Sequence, residues 1–230
     1  MRYQYLLVDN DNTLMDFSAA EHKALHETLA AAGLPTDAQT VAAYVRINDA
    51  LWKALERGET TQAALKIERF AQLLDYLGLP RDTAPVLGAA YAENLGYHAD
   101  LLPGAMDFMQ AVAGRMKIAL VSNGISHIQR NRLSRCPFTP LLDAVVISEE
   151  IGVSKPDPAM LDKALDMLGC TDKSLAVMLG DSLSADIGAA NNAGMDSIWL
   201  SSKGAASDKA TYSVRTLAEA LAVLEGSAQP

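Results

Sequence analysis

Tyr5-Leu6-Leu7-Val8-Asp9-Asn10-Asp11-Asn12-Thr13-Leu14 is the stretch whose reading decides the fold. Four apolar residues, too few for a helix, run directly into a polar cluster. Such a run suits a strand buried on both faces of a parallel sheet. Runs of the same shape recur at 116–121, ending at Ser122-Asn123-Gly124, and at Ala144–Ile147, ending at Ser148. Two more stand at 175–179, ending at Gly180-Asp181, and at 197–200, ending at Ser201-Ser202. Helical patterns at Ser126–Arg135, 158–168 and 184–193 separate the later runs, with Gly169 and Gly194 where a helix C-terminal glycine belongs. Strand alternating with helix predicts an α/β fold, a Rossmann-like parallel sheet with helices on both faces.

That rhythm fails between 16 and 99. This segment reads as four helices, at 18–32, 37–57, 61–77 and 82–95, punctuated by Gly33, Gly58 and Gly78. Thr36, Thr60 and Asp82 are the expected N-caps. Leu25, Leu29, Val41, Val45, Leu51, Leu55, Phe70, Leu73, Leu74 and Leu77 recur at helical spacing and predict a small bundle core. The expected organisation is a discontinuous α/β core, 1–15 and 100–230, interrupted by an all-helical insert at 16–99. Pro103-Gly104 marks the return to the sheet, and residues 226–230 read as a frayed tail.

Composition narrows the function classes. Half of the 230 residues are hydrophobic and 20% are charged, which excludes a disordered chain. The net charge of −9 comes without any Lys/Arg cluster, which argues against a nucleic-acid polymer as partner. A small anion remains open to it, since a metal and one lysine can hold a phosphate. Cys136 and Cys170 cannot make a disulfide framework and read as small core hydrophobes of a reducing compartment. No apolar run reaches the roughly 18 residues of a membrane span, and the start lacks a signal-peptide core. The expectation is a cytoplasmic protein with no membrane partner.

The informative polar residues stand at the carboxyl ends of the expected strands, where open α/β sheets bind ligands. Asp9 and Asp11 are two carboxylates two residues apart. One can attack phosphorus as a nucleophile, and the other can protonate a leaving oxygen and later activate water. The plainer alternative is an Asx-rich turn that ends a strand. Ser122-Asn123-Gly124 offers a hydroxyl, an amide and a glycine N–H to phosphate oxygens, or simply caps a helix. Lys155, in Ser154-Lys155-Pro156-Asp157-Pro158, is a point charge for a phosphoryl group, or one more surface lysine. Asp181 is a candidate ligand of Mg²⁺, which takes one or two carboxylates and keeps its waters. Asp186 would orient Lys155 or a metal-bound water; acidic residues also simply favour helix N-termini.

Each signal is ordinary alone, but their order and spacing are not. With Asp9/Asp11/Thr13, Ser122, Lys155 and Asp181/Asp186 in sequence, the chain resembles the haloacid-dehalogenase-like hydrolase superfamily over essentially its whole length. The insert resembles that superfamily's helical cap. The resemblance implies Asp9 as nucleophile and metal ligand, and Asp11 as general acid/base with its carbonyl on the metal. Ser122 and Lys155 would bind the phosphoryl group, beside the Asn123 amide read above as a further phosphate donor, and Asp181 would complete the Mg²⁺ site, with Asp186 as its support or as the lysine's partner. Asp11 favours a phosphatase over a dehalogenase, because a halide leaves without a proton and an alkoxide does not. The stretch from Ser122 through Gln129 and Arg132-Leu133, then 146–156 and Trp199-Leu200, is similar to bacterial house-cleaning pyrimidine 5′-nucleotidases. This implies a nucleoside monophosphate as the small phosphorylated partner. Alternatives are a phosphatase of phosphoglycolate or a sugar phosphate, a phosphotransferase, a 2-haloacid dehalogenase, and a non-catalytic binding module.

In the insert, Tyr44, Asn48 and Trp52 share a helix face. They could stack on and read a nucleobase, or they could be bundle core; Phe17 carries the same ambiguity. His22 and His26, four apart, lack a third metal ligand and read as a solvated face. His127 reads as a surface histidine, His98 is uninformative, and the scattered methionines read as gap-filling core.

Overall fold

The opening run forms β1 (Tyr5–Val8) at the centre of a six-stranded parallel sheet of order β3-β2-β1-β4-β5-β6. The other strands are β2 (Lys117–Ser122), β3 (Ala144–Ile147), β4 (Ala176–Gly180), β5 (Asp196–Leu200) and β6 (Tyr212–Val214). The structure is a computed structural model and describes residues 1–227. β1 pairs in register with β2 from Tyr5↔Lys117 and with β4 from Tyr5↔Ala176. Strand order reverses at β1/β4, so the ligand-binding crevice of such sheets lies where Asp9 and Asp181 leave their strands. β6 is a short edge strand that the sequence reading did not include. Its three residues carry only two buried side chains, too weak a pattern to stand out.

Two compact units divide the chain. The first holds Met1–Phe17, Asp100–Ser126 and the chain from Cys136 on. There the single-turn α7 (Ser148–Ile151) follows β3, and α8 (Ala159–Leu168) and α9 (Gly188–Ala193) cover one sheet face, packing Met160, Leu161, Ala164 and Ala190 onto Leu7, Val121, Val146 and Met178. α5 (Ala105–Val112), unexpected from sequence, packs with α10 (Leu217–Leu224). The tail expected at 226–230 is ordered at its start: Gly226 and Ser227 donate main-chain bonds to Val223 and Ala222. The remainder lies outside the described residues.

The second unit is all-helical: α1 (Phe17–Ala31, from Ser18), α2 (Ala38–Glu56), α3 (Gln62–Tyr76) and α4 (Ala84–Tyr97), together with His127–Arg135 of α6 (Ser126–Arg135). Thus α6, which follows β2 in sequence, groups with the helical insert. Its Arg132 donates Nε to the His98 carbonyl at 2.9 Å, and His127 meets Glu93 at 2.7 Å.

The N-caps fall one residue later than expected at two helices. Asp37, not Thr36, caps α2, because its carboxylate accepts from both Gln39 and Thr40 N–H (2.9 and 3.1 Å). Thr61, not Thr60, caps α3 through Ala64 N–H. Asp82 lies within a 3₁₀ turn (Arg81–Thr83) that precedes α4. The bundle core also shifts. α2 buries Thr40, Ala43, Tyr44 and Asn48, so Val45 faces away and is 36% exposed. Val41, Leu51, Leu55 and Leu77 are half-buried.

Candidate active site

Asp9 follows β1 directly and prolongs its pairing, donating its N–H to Leu179 O at 2.9 Å. The chain then turns sharply. The Asn10 carbonyl accepts from the N–H groups of Leu14 and Met15 (3.0 and 2.9 Å), and Asn12 adopts φ 59°. Asparagine tolerates this left-handed conformation, which most residues avoid. The turn returns Thr13 under Asp9, and its Oγ1 donates to Asp9 Oδ2 at 3.1 Å. Asp11, half-buried, bridges through its backbone to Met15.

Lys155 reaches the same carboxylate. Its ammonium contacts Asp9 Oδ1 and Asp186 Oδ1, each at 2.7 Å, and donates to the Val121 carbonyl at 2.6 Å. The side chain is 1% exposed, so the plainer alternative of one more surface lysine does not hold. Burial alone would depress its pKa, but the carboxylates of Asp186 and Asp9 overcome this and hold it above the ordinary lysine range. Ser122 is buried at the end of β2, its Oγ accepting from Gly124 N–H at 3.0 Å. The Asn123 carboxamide turns to the Lys155 backbone. Nδ2 donates to Lys155 O (2.8 Å), and Oδ1 accepts from Lys155 N–H (2.7 Å).

The acidic turn after β4 is a π-helical turn, Leu183–Ile187, capped by Ser182. The wider turn brings Asp186 back so that Oδ2 accepts from Ser182 N–H at 2.9 Å. The Asp186 side chain lies where a Cβ on Gly180 would stand, so only glycine fits there. Trp199 of β5 donates Nε1 to the Asp181 carbonyl at 2.7 Å and fixes that residue's backbone.

One oxygen each from Asp9, Asp181 and Asp186 fall within 4.8 Å of one another. Burial, followed by the opposing effects of Lys155 and of Asp186 and Asp11, sets Asp9 at a raised pKa of about 7. Burial and the charge of Asp9 push Asp181 up to about 8. Three crowded carboxylates against one lysine leave negative charge that a divalent cation would relieve, and oxygen donors are what Mg²⁺ prefers. The donor set therefore fits such an ion.

Asp9, Ser122, Asn123, Lys155, Asp181 and Asp186 thus converge at one sheet edge. Thr13, named above only as part of the first motif, joins them, as do the Val121 carbonyl, Gly180 and Trp199, to which the sequence assigned no role in the site. A glycine closing a buried strand was the legible signal for Gly180. Tyr44 and Asn48 are buried inside the helical unit, where Asn48 donates to Glu21 at 2.7 Å; Trp52 and Phe17 are half-buried.

The chain matches the haloacid dehalogenase-like hydrolase family over residues 3–194. It is 36% identical to pyrimidine 5′-nucleotidase PynA of Streptococcus pneumoniae over 86% of this chain and 84% of that protein. It is 30% identical to pyrimidine 5′-nucleotidase YjjG of Escherichia coli over 87% of each. The solved structure of the HAD-hydrolase YfnB from Bacillus subtilis, bound to magnesium, superimposes with a TM-score of 0.91 at 31% identity, covering 98% of this chain and 100% of that one. With the sheet order, the carboxylate cluster and these likenesses in agreement, the chain belongs to the haloacid dehalogenase-like hydrolases.

Proposed function

We infer that this hydrolase is a Mg²⁺-dependent phosphomonoesterase acting through a phosphorylated Asp9, with pyrimidine nucleoside 5′-monophosphates as its substrates. The observation that carries the mechanism is the Asp9 carboxylate, held at one oxygen by Lys155 and at the other by Thr13 where β1 ends. That restraint favours one attack geometry. The substrate class rests on the two nucleotidases the chain resembles along most of its length.

Asp9 forms a bond to phosphorus as the bond to the 5′-oxygen breaks, and Asp11 gives that oxygen its proton. Asp11 then takes a proton from water, which attacks the same phosphorus and restores Asp9. Lys155 and Ser122 hold the phosphoryl oxygens, so the protein's part is positioning and charge neutralisation. Mg²⁺, held by Asp9, Asp181 and the Asp11 carbonyl, would supply further compensation for the negative charge of the transferring group.

Phosphate release from UMP, dUMP, dTMP, AMP, phosphoglycolate and glucose 6-phosphate, measured with and without Mg²⁺, tests this reading. The expected result is a preference for the pyrimidine nucleotides. Asp9→Asn should lower the rate on the order of 10³-fold or more. Equal rates for Asp9→Asn and wild type would remove the nucleophile; equal rates across the panel would remove the pyrimidine assignment alone.

A further inference from the structure

Asn123 was expected to bind phosphate, and its carboxamide is instead turned to the Lys155 main chain at both of its polar atoms. We propose that the Asn123 side chain is a positioning residue that fixes Lys155 for the reaction. The proposal rests on the reading of Lys155 as the cation that holds the transferring phosphoryl group.

The geometry is that of a suture. Asn123 Nδ2 donates to Lys155 O at 2.8 Å and Oδ1 accepts from Lys155 N–H at 2.7 Å. One planar amide thereby pairs with the lysine's donor and acceptor as a neighbouring strand would. At the other end of the lysine, Nζ donates to the carbonyl of Val121 at 2.6 Å, two residues before Asn123. The end of β2 therefore grips Lys155 at its backbone and at its ammonium, and sets how far the side chain extends. That extension brings Nζ to 2.7 Å from both Asp9 Oδ1 and Asp186 Oδ1. Asn192 Nδ2 donates to the next carbonyl, Pro156 O, at 3.0 Å, but nothing in that bond reaches the lysine itself. Alanine at 123 removes both halves of the suture. It leaves the residue's own main-chain N–H in place, so any backbone contribution to anion binding persists.

Steady-state kinetics on p-nitrophenyl phosphate separate the roles without reference to pyrimidines. Asn123→Ala should lower kcat by about 10- to 100-fold with KM within about twofold, because a displaced cation costs the transition state more than the ground state. A phosphate ligand would instead show its loss in KM. In the double variant with Lys155→Met, the Asn123→Ala loss should vanish, since its effect passes through the lysine. If Lys155→Met is too slow to assay, hydrogen exchange at the Lys155 amide decides. That amide should lose protection in Asn123→Ala while the thermal midpoint stays near wild type. A raised KM with kcat preserved, multiplicative losses in the double variant, or an unchanged Lys155 amide would each overturn the proposal. Full activity in Lys155→Met would overturn the underlying reading of the site instead.

Discussion

Lys155 in the α/β unit and Arg69 in the helical unit are both buried cations, and the two are treated in opposite ways. Lys155 in the α/β unit touches two carboxylates and a carbonyl, all within 2.7 Å. Arg69 in the helical unit makes no ion pair among the described residues. Its guanidinium lies 4.4 Å from the Tyr91 ring centroid and 5.6 Å from that of Phe70, with Nε and Nη2 lacking hydrogen-bond partners. Phe70, Tyr44 and Tyr91 pack around one another at 5.4–5.6 Å, and burial raises Tyr44 to about 12 and Tyr91 well above its usual range. Both arginine and lysine pay desolvation of several kcal/mol, but only the lysine recovers it through opposite charge. A ring face returns about 2 kcal/mol at best. One unit thus spends burial on an electrostatic site, whereas the other tolerates a charge inside a packed aromatic core.

The largest test of this contrast is Lys155→Met. It leaves Asp9 and Asp186 buried and facing each other, so stability should drop by about 3–5 kcal/mol. Phosphatase activity should fall on the order of 10²- to 10³-fold. Chemical denaturation and initial rates measure the two. A variant as stable as wild type would mean that the carboxylates relax without the lysine.

A second test uses pH and metal. Asp9 and Asp181 have raised pKa values of about 7 and about 8 in the metal-free protein. The folded state therefore holds protons that the unfolded chain, with carboxyls near 4, has released. Metal-free stability should decline as pH rises from about 4 to about 8 and level off above that. Added Mg²⁺ should raise the thermal midpoint more at pH 8 than at pH 5, because it competes with those protons. A midpoint that Mg²⁺ shifts equally at both pH values would break the link between the carboxylate cluster and the ion.

The smallest expected effect is at Arg69. Methionine has a similar reach and no charge to desolvate, so Arg69→Met should leave stability within about 1 kcal/mol of wild type, or above it. A loss as large as that of Lys155→Met would show that the stacked guanidinium holds the bundle together.

The contrast also explains what the sequence could disclose. Asp9, Lys155 and Asp181 were legible because each ends or follows an apolar run, and a parallel sheet gathers such ends at one edge. The direction in which Asn123 turns was not legible, since a carboxamide after a strand can face either a ligand or a neighbouring loop. Nor was the burial of Lys155, which depends on Asp186 returning through a π-helical turn that leaves the helical pattern at 184–193 intact. In the helical unit, Tyr44 and Asn48 sat on a face that suited both core and ligand. The stripe itself proved to lie one residue away from Val45, a shift that four-residue spacing does not resolve. Arg69 drew no notice, because a charged residue inside an apolar pattern reads as a surface position.

The grouping of α6 with the helical insert bears on modular exchange of this enzyme's parts. Because His127–Arg135 belongs to that unit, the chain passes between units four times, not twice. Grafting a foreign insert in place of 18–99 would leave Arg132 without the His98 carbonyl and Asn131 without the close fit against Gly96. A transplant that respects the architecture must carry two segments, the long insert and this short helix, and join them at four seams.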